Sequence, residues 1–242
     1  VDVVAVLDRV DVGPAAVTLG AALVGARSTT GVMAVLPADL EAQATANQNY
    51  QVIGARNPVS RVRVQFDGVY YQDLKDIDKG FVYPNSPMMD VRVRKALQKA
   101  VNLDDLNKGL FGGKGETMIV NHMSPNRPGW NPAWQQNFKD AYGYDPEASK
   151  KLLAEAGYGP GNPLKMSVYF RPYSYFPATG DLNEAVANYW RAIGVDVTLD
   201  QSDAATYASK SRRVDYDKMA YVVPTSIRQW LGPSIYNSFV GG

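Results

Sequence analysis

The 242-residue chain has no cysteine and a single histidine, His122. The first absence excludes disulfide staples, iron–sulfur ligation and a thiol nucleophile. The second excludes any zinc site or catalytic arrangement that needs two imidazoles. A Ser-His-Asp arrangement has only His122 to use, and a lone histidine is more often a hydrogen-bonded structural residue than a ligand or base. An excess of one charge is lacking too: 25 Lys and Arg face 24 Asp and Glu, for a net charge of +1. That balance argues against a nucleic-acid partner held by bulk charge. No apolar run approaches the roughly eighteen residues of a membrane span. The nearest, residues 10–24, is broken by Asp11, Gly13, Pro14 and Gly20. The absence of cysteine leaves the compartment open, since large domains in oxidising compartments often dispense with disulfides. The chain opens on Val1 without a Met, a basic leader or a cleavage site, which reads as a processed chain or a piece of a longer one.

What is present is an ordinary globular balance, 45% hydrophobic and 20% charged, enough for a sizeable core. Short alternating runs interleave with helix-period segments, predicting a mixed α/β fold. Strands are expected at residues 3–7, 32–36, 50–53, 61–66, 164–170, 195–199 and 216–223. The run Arg61-Val62-Arg63-Val64-Gln65-Phe66 alternates strictly, the mark of a half-buried strand. Helices are expected at 11–24, 37–47, 90–101, 102–112, 145–157, 181–193 and 203–213. Their signals are caps at Asp90 and Asn102, Pro146 at a first turn, Glu184 three residues after Asp181, and stops at Gly112, Gly157 and Gly194. Residues 67–80 read as a surface loop or insertion, and 119–144, rich in Pro, Asn, Trp and Tyr, as a long loop. The strand–helix–strand–helix–strand order near the C-terminal end implies a sheet with crossovers.

The motifs are each weighed against a plain reading. Gly112-Gly113-Lys114-Gly115 follows a helix and lacks the hydroxyl residue of a phosphate loop, so it reads as a helix stop. Asp104 and Asp105 fit a first helical turn, where negative charge opposes the macrodipole. Asp215 and Asp217, two apart, share a strand face without a clear cleft around them. Arg212 and Arg213 suit a ligand carboxylate and a solvated helix end equally. Fifteen tyrosines, seven phenylalanines and four tryptophans are more suggestive. Trp130, Trp134, Tyr142, Tyr144, Tyr169, Tyr173, Tyr175, Phe176, Tyr221 and Trp230 fall mainly in loops and at strand ends. Such rings suit a small-molecule cleft, and equally the packing of long loops.

Several blocks, in order along the chain, resemble a known family. Pro87-Met88-Met89-Asp90-Val91-Arg92-Val93-Arg94-Lys95-Ala96-Leu97, followed by Ala100-Val101-Asn102 and Leu110-Phe111-Gly112-Gly113, is similar to a conserved block of the family 5 extracellular solute-binding proteins, the dipeptide, oligopeptide and nickel type. Tyr144-Asp145-Pro146-Glu147-Ala148 with Lys150-Lys151-Leu152-Leu153-Ala154-Glu155-Ala156-Gly157-Tyr158 resembles a second block. Trp190 with Ile193-Gly194-Val195-Asp196-Val197, and Tyr207 with Asp215-Tyr216-Asp217, resemble a third and a fourth. Leu36-Pro37-Ala38-Asp39-Leu40-Glu41 and Asn49-Tyr50-Gln51-Val52-Ile53 fit upstream.

The resemblance implies a periplasmic-binding-protein-like (type II) lobe, a mixed sheet flanked by helices. Residues 1–242 would be the second, C-terminal lobe of a clamshell whose first lobe and returning tail are absent. The implied function is the solute-binding component of an ABC importer, with a small-molecule solute and a membrane permease as partners. It implies a periplasmic or extracellular location, with or without a lipid anchor, and neither catalysis nor a cofactor. Two departures stand out. Family peptide binders carry Gly-Trp and then an Asp for the peptide ammonium, where this chain has Tyr221-Val222-Val223-Pro224-Thr225-Ser226, with Ser226 near the acidic position. Gly25-Ala26-Arg27-Ser28-Thr29-Thr30 replaces a common acidic motif. The solute class therefore stays open among peptide-like compounds, sugars, opine-like compounds and metal chelates. Strand ends of an open α/β sheet feed such clefts, which selects Arg171, Tyr173, Tyr221, Thr225, Ser226, Arg228 and Trp230 as expected ligand-binding residues. The competing readings are a carboxylate-dependent, glycan-acting enzyme and a protein-interaction domain.

Overall fold

The computed structural model describes residues 3–7, 30–34, 38–46, 50–54, 60–66, 68–115, 117, 119, 129–173, 176–211 and 219–226. Strands β1 (Val3–Leu7), β2 (Thr30–Ala34) and β3 (Tyr50–Gly54) form a small antiparallel sheet in the order β2-β1-β3. Helix α1 (Ala38–Ala46) lies between β2 and β3 in the chain. The helix expected at 11–24 lies outside the described residues, as do His122, Arg212, Arg213, Asp215 and Asp217.

The site rests on the second sheet. Its strands are β4 (Ser60–Phe66), β5 (Lys165–Phe170), β6 (Asp196–Gln201) and β7 (Met219–Ser226), in the order β4-β7-β5-β6. β5 runs parallel to both β6 and β7, while β4 is antiparallel to β7. Helix α6 (Thr179–Ala192) makes the crossover from β5 to β6, and α7 (Ala204–Ser211) lies between β6 and β7. The mixed sheet with helical crossovers is the α/β arrangement the sequence predicts. β7, last in sequence, is inserted between two earlier strands.

Period-two patterning decides which face is buried. On β4, Val62, Val64 and Phe66 pack against the core, which turns Arg63 and Gln65 to the other face. On β5, Met166 and Val168 join that core, leaving Ser167 and Tyr169 on the far side. α6 presses Leu182, Val186, Ala187 and Trp190 onto the sheet, each large apolar side chain contributing about 1.5–3 kcal/mol when fully buried. Helices α2 (Val91–Lys99), α3 (Leu103–Phe111) and α5 (Pro146–Glu155) complete the layer with Val93, Leu97, Leu106 and Leu153. The starts of α2 and α3 follow the predicted caps, and that of α5 the predicted first turn at Pro146. Asp90 accepts from the Arg92 amide at 2.8 Å, Asn102 from Asp105 at 3.2 Å, and Asp145 from Ala148 at 2.8 Å.

Two expectations fail. Residues 119–144 are not all loop, because α4 (Ala133–Tyr142) occupies their second half. Its turns stack Trp130 edge-on to Trp134 and Phe138 beside Tyr142, at helical four-residue steps, with no side chain of the helix fully buried. Without a buried aliphatic stripe the period was hidden among Asn, Gln and Pro. α6 also begins two residues early, at Thr179, with no side-chain cap. Its start is held instead by the Thr179 hydroxyl donating to the Phe176 carbonyl at 2.6 Å. Glu184 pairs with Arg191 at 3.0 Å rather than with the helix start.

Candidate functional site

The parallel strands β5, β6 and β7 bring their carboxyl ends to one edge of the sheet, and antiparallel β4 brings its amino end there. In open α/β sheets ligands bind outside this edge. Arg171 and Tyr173 follow β5 directly. Ser202 and Asp203 follow β6, with the Ser202 amide donating to the Phe170 carbonyl at 2.9 Å to extend the ladder past the strands. Thr225 and Ser226 end β7, in register with Arg61 and Ser60. Tyr221 lies further down the same strand, opposite Gln65. Arg228 and Trp230 lie outside the described residues.

At the mouth of this edge an aromatic cluster carries a cation. The Arg171 guanidinium carbon lies 4.0 Å from the centre of the Tyr173 ring and 5.8 Å from that of Tyr207, on α7. Tyr207 in turn packs 5.6 Å from Tyr169 and 6.5 Å, nearly perpendicular, from Tyr173. Tyr169 is 1% exposed, Tyr173 8% and Tyr207 9%, so these rings form a floor and not a loose fringe. Arg171 is half-buried, and among the described residues its guanidinium donates one long 3.4 Å bond, to the Pro172 carbonyl. A cation over tyrosine rings gains about 0.5–2 kcal/mol and holds its planar fork in place. Its edge stays suited to a carboxylate or similar anion.

The surrounding polar groups are largely spent on structure. Asp203 accepts from the amides of Ala205 and Thr206 at 2.8 and 2.9 Å and from the Thr206 hydroxyl at 2.8 Å, capping α7. The Thr206 amide, then its hydroxyl, holds the Asp203 carboxyl below the usual carboxylate range. The glycine run after α3 is also occupied: Asn107 accepts from the Gly115 amide at 2.7 Å and donates to the Gly115 carbonyl at 2.8 Å. Gly112 takes the left-handed conformation of a helix stop, φ 59°. Asp104 and Asp105 stand in the first turn of α3. Among the described residues no group of three or more His, Asp or Glu side chains could hold a metal ion. Nor is any described helix long and apolar enough to cross a membrane.

The aromatic residues thus divide. Tyr169, Tyr173 and Phe176 are buried, Trp130 and Trp134 half-buried, and Tyr142 and Tyr144 exposed. Tyr207 was not among the residues selected from sequence as site residues. Its signal was the Asp203 cap four residues earlier, which fixes the phase of α7.

Residues 8–241 match the bacterial extracellular solute-binding proteins, family 5 (middle). This chain belongs to that family. The dipeptide-binding protein of Escherichia coli K12 is 28% identical over 166 residues, covering 67% of this chain and 30% of that protein. Periplasmic oligopeptide-binding protein OppA of Salmonella typhimurium LT2 is 30% identical over 138 residues, covering 54% and 24%. The chain thus spans about a quarter to a third of these relatives. Among solved structures, AppA from Bacillus subtilis in complex with a nonapeptide gives a TM-score of 0.58 at 18% identity, covering 78% of this chain and 35% of that one. NikA from Brucella suis in complex with Fe(III)-EDTA gives 0.56 at 19% identity, covering 76% and 34%. These likenesses establish the fold as that of the type II periplasmic binding proteins, as expected for a family 5 solute-binding protein.

Proposed function

We propose that this chain is one jaw of a two-lobed solute receptor, closing on a small solute outside the cytoplasmic membrane and delivering it to the permease of an ABC importer. Residues 1–242 make up the second lobe, with 67–80 an insertion in it. The supporting observation is the Arg171–Tyr173–Tyr207 cluster at the carboxyl edge of the second sheet: two buried tyrosine rings with a half-buried cation beside them. Thr225 and Ser226, at the end of the neighbouring strand, Tyr221 earlier on it, and Arg228 and Trp230 after it in the sequence are assigned to solute binding as well. Binding, not turnover, is the role, in keeping with the relatives named as dipeptide- and oligopeptide-binding proteins. Proteins of similar fold have been seen with solutes as different as a nonapeptide and Fe(III)-EDTA, so the solute class is sought in this chain's own side chains.

Native mass spectrometry of the purified protein, before and after denaturation, tests the reading. A small molecule that is retained natively and leaves on unfolding supports it. A protein that carries no solute, and gives no heat with peptide, sugar and chelate panels in calorimetry, overturns it.

A further inference from the structure

The sheet carries a second arginine that the Arg171 cluster does not use. Arg63 sits on β4, between Val62 and Val64, whose side chains pack into the core. The strand's period of two therefore turns Arg63 to the opposite face. Arg171 is on that same face, because its guanidinium lies beside Tyr207, which covers Tyr169, the far-side residue of β5. The two arginines also share a level. Arg63 pairs with Val223 on β7, and Val168 pairs with Ala220. Continuing the latter parallel register by three residues brings Arg171 level with Val223. Arg63 on β4 and Arg171 just past β5 thus belong to the two strands that flank β7, each three residues from the paired row Phe66–Ala220–Val168 toward the same edge, and two strand spacings are about 10 Å.

Arg63 is half-buried, and its Nε is buried with no hydrogen-bond partner among the described residues. Buried polar groups in folded proteins are nearly always satisfied, and the planar fork of an arginine matches the two oxygens of a carboxylate. The far-side carboxylate one row below, Asp200, receives the Ser202 hydroxyl at 3.5 Å, and Asp203 caps α7. We infer that Arg63 is a second anion-binding group of this jaw, so that the solute carries two anionic groups, as a dicarboxylate does. One group seats at Arg171 and the other at Arg63. This rests on the receptor reading above and narrows it to a chemical class.

Calorimetry on the purified protein with two matched pairs of probes tests the inference: alanyl-glutamate against alanyl-glutamine, and succinate against succinamate. Within a pair only the second negative charge differs. The expected result is at least one pair in which the dianion binds tighter by roughly tenfold or more, as a charge-assisted bond allows. Arg63→Gln then collapses that ratio toward one, while Arg63→Lys, which keeps the charge, preserves part of it. Circular dichroism and thermal midpoints check that both variants fold, and Arg63→Lys carries the comparison if Arg63→Gln does not. Equal affinity within both pairs, or a ratio that survives Arg63→Gln, overturns the inference alone. Binding of none of the four probes also overturns it. Whether the receptor reading falls as well is then decided by the solute retained in native mass spectrometry.

Discussion

The indole N–H of Trp190 donates a 2.8 Å hydrogen bond to the carbonyl of Leu97, 93 residues earlier in the chain. The last four carbonyls of a helix lack partners within it. In α2 the amides of Ala100 and Val101 serve Ala96 and Gln98, passing Leu97 by. Trp190 supplies that missing donor from α6 while its ring fills the core beside Phe66 at 6.0 Å. Trp190→Phe keeps most of the apolar area but orphans a buried carbonyl. It is expected to cost about 1–3 kcal/mol in urea unfolding, and a loss below about 0.5 kcal/mol would show that the bond is dispensable.

Asp90 gives a pH-dependent contribution of known sign. The Arg92 side chain, ion-paired at 2.6 Å, holds the Asp90 carboxyl below the usual carboxylate range. The same guanidinium donates to the Glu155 carbonyl at 2.7 Å, so the pair links the start of α2 to the end of α5. A carboxyl that titrates lower folded than unfolded stabilises the fold fully above its unfolded value, and the gain fades as pH falls through the folded one. Asp90→Ala should cost about 1 kcal/mol at neutral pH, as for a lost cap. Asp90→Asn, which retains the acceptor, should cost less. The difference between wild type and Asp90→Asn should shrink as the pH is lowered into the acid range, and denaturation at several pH values reads this directly.

Arg171 is expected to matter through its shape as well as its charge. Arg171→Ala should weaken the retained solute roughly tenfold to a hundredfold in calorimetry. Arg171→Lys keeps the charge but loses the plane that lies over Tyr173, and should fall between the two. Wild-type affinity in both variants would remove Arg171 from the site.

The segment after β4 doubles back on itself, with Tyr71 stacked 4.5 Å from Phe81 and Lys79 paired to Asp73 at 2.8 Å. Leu74 and Ile77, at its tip, are 74% and 59% exposed. The double variant Leu74→Ser, Ile77→Ser should leave stability within about 0.5 kcal/mol. Tyr71→Ala should cost about 0.5–1.5 kcal/mol by removing the ring pair. Urea titrations of both variants distinguish the two parts of this turn.

Asn183 is fully buried in α6. Its amide donates to the Thr179 carbonyl at 2.7 Å, while its own Oδ1 accepts nothing. Asn183→Leu removes an unsatisfied acceptor along with its donor, and should shift stability by less than about 1 kcal/mol or raise it. Asn183→Asp, which places an ionisable group there, should cost roughly 2 kcal/mol or more.

What could be read in the sequence follows from where the physics is local. The strict alternation of β4, the caps at Asp90 and Asn102 and the helix start at Asp145-Pro146 depend on neighbours a few residues away, and each is found where expected. α4 was missed because Trp134, Phe138 and Tyr142 are only partly covered, so its sequence never acquires the aliphatic stripe that announces a helix. The start of α6 was misplaced because a backbone carbonyl at Phe176, not a side-chain cap, receives the Thr179 hydroxyl. For the site, the strand-end rule reached Arg171 and Tyr173. It could not reach Tyr207, which arrives from a helix, or Arg63, whose role depends on which strand lies between β4 and β5. In the sequence Arg63 is only the polar beat of an alternating strand; its level with Arg171 exists only once β7 has paired with both.

The position of β7 also governs how the molecule can be made. β4 leaves the ribosome well before β7, its described partner in the sheet, which spans Met219–Ser226. Until β7 is made, β4 lacks its described ladder partner, and among the described strands β5 has only β6 to pair with. Completion of the sheet is therefore a late, long-range event. A nascent chain stalled before Met219 would expose the edges of β4 and β5 to chaperones or to other copies of itself.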